Sequence, residues 1–242
     1  RTSARQSGNS PGDNGRHIAA AFRVHHGEFV ASFSLMQRVR VKICGITNEP
    51  DALAAIEAGA DALGFVAYPK SQRHIDLAQA MPWIRHLPPF IAKVVVCVNA
   101  TAKELVHWAR EFPVDAWQFH GDETPEMIKA APPGTRIRAL RATGALSREE
   151  LLAWPVEAFL LDTPAPGYGG SGKTCDWSLA KAIKAAANRP IILAGGLDPS
   201  NVASAIATVR PYAVDCSSGV EESPGKKDYA KLRDFIAACR AK

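Results

Sequence analysis

The sequence predicts an α/β protein, a (β/α)8 TIM barrel in a single domain. Three observations predict it. From Val39 onward, short apolar runs rich in β-branched residues alternate with helical patterns eight times. Parallel strands need crossover connections, and right-handed helical crossovers supply them. Eight such units of near-equal length follow one another with no composition break for a second domain, which matches a compact barrel better than an open doubly wound sheet.

The strand segments are 39–46, 62–68, 91–99, 116–121, 136–142, 158–163, 190–196 and 213–219. They read as strands buried on both faces. The first helix, 48–59, carries acids in its first turn and ends at Gly59. The second, 76–87, contains Pro82, which is expected to kink or split it. In the third, 101–112, Thr101 and Glu104 form a capping box. The fourth, 124–131, has Thr124 as cap and Pro125 at its first position. The fifth, 147–155, is short. The sixth starts from Asp176, and 198–210 and 227–242 complete the set.

Composition bounds the rest. The chain has 242 residues, 47% hydrophobic and 22% charged, which excludes disorder throughout. The longest apolar stretch, around FIAKVVVCV, is far short of the ~20 residues of a membrane span. The net charge of +5 is mild, and no block of Lys and Arg interleaves with aromatics, so nucleic acid is not indicated. The five cysteines form no C-x-x-C, which argues against a disulfide framework or zinc site and fits a reducing, cytoplasmic setting. Residues 1–35 read differently, with four Arg, three His and only Asp13 and Glu28 as acids. They are expected to be an N-terminal extension, non-native or disordered, before a catalytic barrel at 36–242, with Met36 the more plausible start.

In a barrel, chemistry sits at the C-terminal ends of the strands. There the first strand carries Lys42 and Cys44, two apart and so on one face. A thiolate near cations could serve as base or nucleophile, and a buried structural cysteine is the simpler alternative. FLLDT puts Asp162 at the rim, as a general acid or a loop cap. The loops after strands seven and eight hold Gly195 and Gly196, then Ser217, Ser218 and Gly219. Their backbone N–H groups suit a phosphate. Arg73 could grip a carboxylate bidentately or simply be solvated. Gln118 and His120 share a face, although a lone histidine is more often structural. GYGGSGKT (167–174) matches a P-loop in letters. It follows the sixth strand rather than the first, and its Lys-Thr pair does not open the helix, so it reads as a long βα loop.

Together VKICGIT, GADALGFV, SQRHI, QFHGDE, LLDT with GGSGKTCDW, ILAGGLDPSNV and VDCSSGVEESPGKKD resemble the phosphoribosylanthranilate isomerase family. The resemblance runs from about Arg38 to the C-terminus. Family members often have SPR for SQR and GGTGKTFDW for GGSGKTCDW. The resemblance implies an Amadori rearrangement in tryptophan biosynthesis, from an aminoaldose to an aminoketose phosphate. It implies Asp162 as general acid, with a raised pKa, and Cys44 as general base, with a lowered one. It assigns Arg73 to the substrate carboxylate and the two glycine-bearing loops to the phosphate, and Asp215 more weakly to site order or ribosyl hydroxyls. It implies no metal or organic cofactor and a small phosphorylated substrate as the partner; a monomer or homodimer is expected, and the sequence does not choose between them. Related imidazole-ribotide isomerases place Asp where Cys44 stands. A non-catalytic phosphosugar-binding barrel would lack the acid or the base.

Overall fold

The computed structural model describes residues 38–141, 144, 146–162 and 176–241. The extension at 1–35 and the glycine loop at 167–174 lie outside the described residues, as does Cys175. Eight parallel strands close on themselves: Arg40–Cys44 (β1), Ala62–Val66 (β2), Ala92–Cys97 (β3), Ala116–Phe119 (β4), Thr135–Arg141 (β5), Ala158–Asp162 (β6), Ile191–Leu193 (β7) and Ala213–Cys216 (β8). Each strand pairs with the next, and β8 returns to β1. The helices between them are Glu49–Ala58 (α1), Leu77–Ile84 (α2), Ala102–Glu111 (α3), Pro125–Lys129 (α4), Arg148–Leu152 (α5), Trp177–Ala187 (α6) and Val202–Val209 (α7), and Tyr229–Arg240 (α8) closes the chain. The barrel expected from the eight units is the barrel observed.

The strand period of two sorts the side chains into two cores. Val41, Ile43, Leu63, Phe65, Trp117, Phe119, Phe159 and Leu161 point outward into the layer beneath the helices. The alternate positions fill the barrel: Val94, Ala116, Ile137, Ala139, Ala158, Leu160, Ile192, Ala194 and Ala213. Many of the inner residues are alanines, which fit the narrow interior. Near the C-terminal mouth the inner positions are Cys44, Val66 and Val96.

Local signals terminate the helices as expected in most places. Gly59 caps α1 in the left-handed region, with φ 105°. The Thr101–Glu104 box opens α3, and Asp176 caps α6 by accepting from the Ser178 and Leu179 N–H groups. Ser147 and Glu150 form a second capping box before α5, which the sequence reading did not single out.

Three expectations change. Pro82 does not split α2, which runs through it and ends two residues later at Ile84. With so little helix beyond the proline, little is left to kink. β7 stops at Leu193 because Gly195 and Gly196 take left-handed φ values of 80° and 62°. β8 stops at Cys216 and gives way to a 3-10 turn, Ser218–Val220. An unexpected antiparallel hairpin follows, Glu221–Ser223 (β9) with Lys226–Lys227 (β10).

Phe65 on β2 is fully buried, against Trp83 at 6.1 Å and edge-on to Phe112 at 5.4 Å between ring centroids. Phe65→Ala is expected to cost about 3–5 kcal/mol in urea unfolding. A loss below about 1 kcal/mol would show that this layer does not carry helix–barrel packing.

Candidate active site

The strand ends deliver their inner side chains to one cleft. Cys44 from β1, Gln118 and then His120 from β4, Asp162 from β6 and Asp215 from β8 all line it. Arg73 joins from the loop after β2, Gly195 and Gly196 from the loop after β7, and Ser217 and Ser218 from the loop after β8. Thus thiol, carboxyl and both glycine-bearing loops face the same space.

Gly219 is the one expected site residue that does not line the cleft. A Cβ there would lie 2.0 Å from the Leu197 carbonyl oxygen. Gly219 therefore lets the two loops pack together. Asn201 sets the neighbouring loop, donating from Nδ2 to the Gly196 carbonyl at 2.8 Å.

Beneath the cleft, β1 and β8 pair with Lys42 opposite Asp215. Lys42 Nζ donates to Asp215 Oδ1 at 2.8 Å, and both groups are buried. Burial alone would push Lys42 down, but Asp215 and Cys44 outweigh it and hold the ammonium above its ordinary value. For Cys44 the balance goes the other way. Burial pushes the thiol up, Lys42 pulls it down, and Asp215 adds to the rise. The net direction is upward, so the lowered value expected from the sequence is corrected. Desolvation of the thiolate exceeds the help it receives from Lys42.

Arg73 lines the cleft with one edge of its guanidinium already paired. Its Nε and Nη2 donate to Glu221 at 2.9 and 2.7 Å, a fork already occupied by an internal carboxylate. Nη1 makes no hydrogen bond to the described residues. Glu221 in turn accepts from Lys227 Nζ at 2.8 Å. Burial works against its charge, but Arg73 and Lys227 hold the carboxyl below its usual range. Lys227 is wholly buried and also donates to the Cys44 carbonyl at 2.7 Å. Ser217 Oγ donates to that same carbonyl at 3.0 Å. The backbone of Cys44 is thus tied to the loop after β8. Sequence reasoning missed Glu221 and Lys227, although both lie in the VDCSSGVEESPGKKD run.

On the far wall, Gln118 Nε2 lies 3.1 Å from His120 Nδ1, and His120 Nε2 lies 3.4 Å from Asp162 Oδ2. The chain of contacts orients the imidazole toward the carboxyl. Gln118 Oε1 is buried without a hydrogen-bond partner among the described residues.

A barrel whose mouth opposes a thiol and a carboxyl, beside glycine-bearing loops suited to an anion, defines an acid–base enzyme for a phosphorylated substrate. Comparison with known proteins narrows the class. The family model for N-(5'-phosphoribosyl)anthranilate (PRA) isomerase matches residues 41–238. The N-(5'-phosphoribosyl)anthranilate isomerase of Magnetococcus marinus is 48% identical over 204 residues, covering 84% of this chain and 95% of its own. That of Thermotoga maritima is 46% identical over 201 residues, covering 82% and 97%. The crystal structure of phosphoribosyl anthranilate isomerase from Thermus thermophilus superimposes with a TM-score of 0.76 at 40% identity, covering 83% of this chain and 98% of that one. A PRA isomerase in complex with reduced 1-(o-carboxyphenylamino)-1-deoxyribulose 5-phosphate gives 0.71 at 42% identity, covering 83% and 98%. This chain belongs to the N-(5'-phosphoribosyl)anthranilate isomerase family. It is an isomerase of tryptophan biosynthesis built on a (β/α)8 barrel.

The packing around the thiol has its own requirement. A Cβ on Gly64 would lie 2.7 Å from Cys44 Sγ and 3.0 Å from Lys42 Nζ. Gly64→Ala is expected to displace the thiol and lower kcat about 10²-fold while the far-UV circular dichroism stays unchanged. Near-normal kcat would show that the position of Cys44 is not set by this contact.

Proposed function

We propose that this chain isomerises N-(5'-phosphoribosyl)anthranilate to 1-(2-carboxyphenylamino)-1-deoxyribulose 5-phosphate, with Asp162 as general acid and Cys44 as general base, in the barrel at 36–242. The observation that carries the assignment is that these two groups, on β6 and β1, line one cleft with the loops at Gly195–Gly196 and Ser217–Ser218.

The steps follow from that arrangement. Asp162 gives its proton to the furanose ring oxygen. The bond from that oxygen to C1 breaks as the anthranilate nitrogen lone pair forms C1=N, a protonated Schiff base. The Cys44 thiolate takes the proton on C2. The C–H electrons form C1=C2, and the C=N electrons return to nitrogen, giving an enolamine. Gain of a proton at C1 and loss of the C2 hydroxyl proton give the aminoketose. The substrate's own nitrogen delocalises the charge. His120 keeps Asp162 facing the cleft, with Gln118 behind it. The free Nη1 edge of Arg73, held out by Glu221, takes the anthranilate carboxylate. Backbone N–H groups of the two loops take the phosphate. Asp215 acts on the substrate from beneath, through Lys42 and the ribosyl hydroxyls. The complex of a relative with reduced 1-(o-carboxyphenylamino)-1-deoxyribulose 5-phosphate supports this ligand class.

Four thiols of the described residues are free and buried, in keeping with a cytoplasmic enzyme. No helix among those residues is long and apolar enough to cross a membrane. A dimeric form is described for the Thermotoga maritima relative, and a homodimer is the assembly to test beside a monomer.

Purified protein should consume phosphoribosylanthranilate, followed by its fluorescence, without added metal. Cys44→Ala and Asp162→Ala should each lower kcat by about 10²–10⁴-fold with the fold retained. Absence of turnover by the folded wild-type protein would refute the function. Near-normal turnover by either variant would remove that residue from its role.

A further inference from the structure

The reading of Cys44 as a base leaves a difficulty, because burial pushes its thiol up and holds it protonated. A base in this position needs a fixed cation. Five elements besides β1 present charged or titratable groups to it. Lys42 lies two residues before it on the same strand, and Asp215 faces it from β8. Lys227 approaches from β10 and also favours the thiolate, but its ammonium donates to the Cys44 carbonyl, Glu221 and the Ser217 carbonyl and not to the sulfur. Arg73 comes from the loop after β2, and its charge is matched by Glu221. Across the cleft stand His120 and Asp162. Lys42 is the cation whose Nζ stands beside the sulfur itself: a single Cβ on Gly64 would lie 3.0 Å from Nζ and 2.7 Å from Sγ. Its side-chain hydrogen-bond partner among the described residues is Asp215.

We propose that Lys42 is a positioning residue for the reaction: its buried ammonium forms the ion pair that makes the Cys44 thiolate accessible, and Asp215 sets how much of that charge the sulfur feels. The inference rests on Cys44 being the base. The geometry is specific to this seam. β1 and β8 place Lys42 and Asp215 in register, and Gly64 leaves room for Nζ and Sγ on the same side of β2. Asp215 keeps Lys42 charged, as the upward shift of its ammonium indicates. It also competes with the thiolate for that charge. When the thiol loses its proton, Nζ is shared between two anions. When the thiol is neutral, Asp215 holds Nζ alone. The two substitutions therefore act in opposite directions, which a merely structural pair would not do.

The test is alkylation of Cys44 in the full chain by iodoacetamide, in which the thiolate displaces iodide, followed site by site by mass spectrometry against pH. Lys42→Met should slow alkylation at neutral pH by roughly tenfold or more and move the profile to higher pH. Asp215→Asn should move it to lower pH. If Lys42→Met does not fold, Lys42→Met with Asp215→Asn leaves no lone buried charge and must still move the profile upward. Profiles that stay in place, or that move the same way in the two single variants, overturn the proposal. The pH dependence of kcat/KM separates the two readings. If its acid limb follows the alkylation profile, Cys44 is the base that Lys42 serves. If alkylation moves and the limb does not, the base assignment fails while the ion pair stands.

Discussion

The buried pair between Lys42 and Asp215 is the contact on which the rest of the site depends. It lies at the seam where β8 closes on β1, inside a barrel filled mainly by alanine, valine, leucine and isoleucine. A charge there is tolerated only when it is paired and hydrogen-bonded, since desolvation of either ion alone is costly. The pair therefore favours one register between the first and last strands. A slip of β1 by one residue would turn Lys42 outward into the apolar layer beneath the helices and leave Asp215 unpaired inside the barrel. In the register observed, Cys44 sits one inner position above Lys42, at the floor of the cleft. The loops that leave β7 and β8 then arrive beside it.

A second polar network governs the rim. Arg73, Glu221 and Lys227 run from the loop after β2 to the hairpin after β8, and they end on the carbonyl of Cys44 itself. Its members come from three parts of the chain, yet each has a satisfied partner at hydrogen-bond distance. Such networks are costly when half made and rigid when complete. Here the result is a fixed backbone under the thiol and a guanidinium with one edge committed inward and one left toward the cleft. The hairpin that supplies Glu221 and Lys227 is thus part of the active-site wall, although it lies outside the eight strand–helix units.

Much of this was legible in the sequence. The alternation of β-branched runs and capped helices is a local signal, and it specified the closed barrel. The spacing of Lys42 and Cys44 placed them on one face, and FLLDT placed Asp162 at a strand end. What was not legible depends on contacts between distant segments. Glu221 and Lys227 look like surface charges until the hairpin folds them under Arg73. Gly219 resembles a phosphate-loop glycine, but its lack of a Cβ serves the packing against Leu197. Cys44 was expected to be acidic because the resemblance makes it a general base. The cations are there, but the depth of burial, which no local pattern reports, outweighs them. Pro82 was overrated for a simpler reason: a proline near the end of a short helix leaves little helix to break.

The central claim is that one cleft holds acid, base and phosphate loops around a single small substrate. A crystal structure of this chain with reduced 1-(o-carboxyphenylamino)-1-deoxyribulose 5-phosphate tests it most directly. The account predicts the phosphate against the backbone of Gly195–Gly196 and Ser217–Ser218, the carboxylate at Arg73 Nη1, and C1 and C2 between Cys44 Sγ and the Asp162 carboxyl. A ligand whose phosphate lies away from those loops, or whose C2 is out of reach of Cys44, would contradict it.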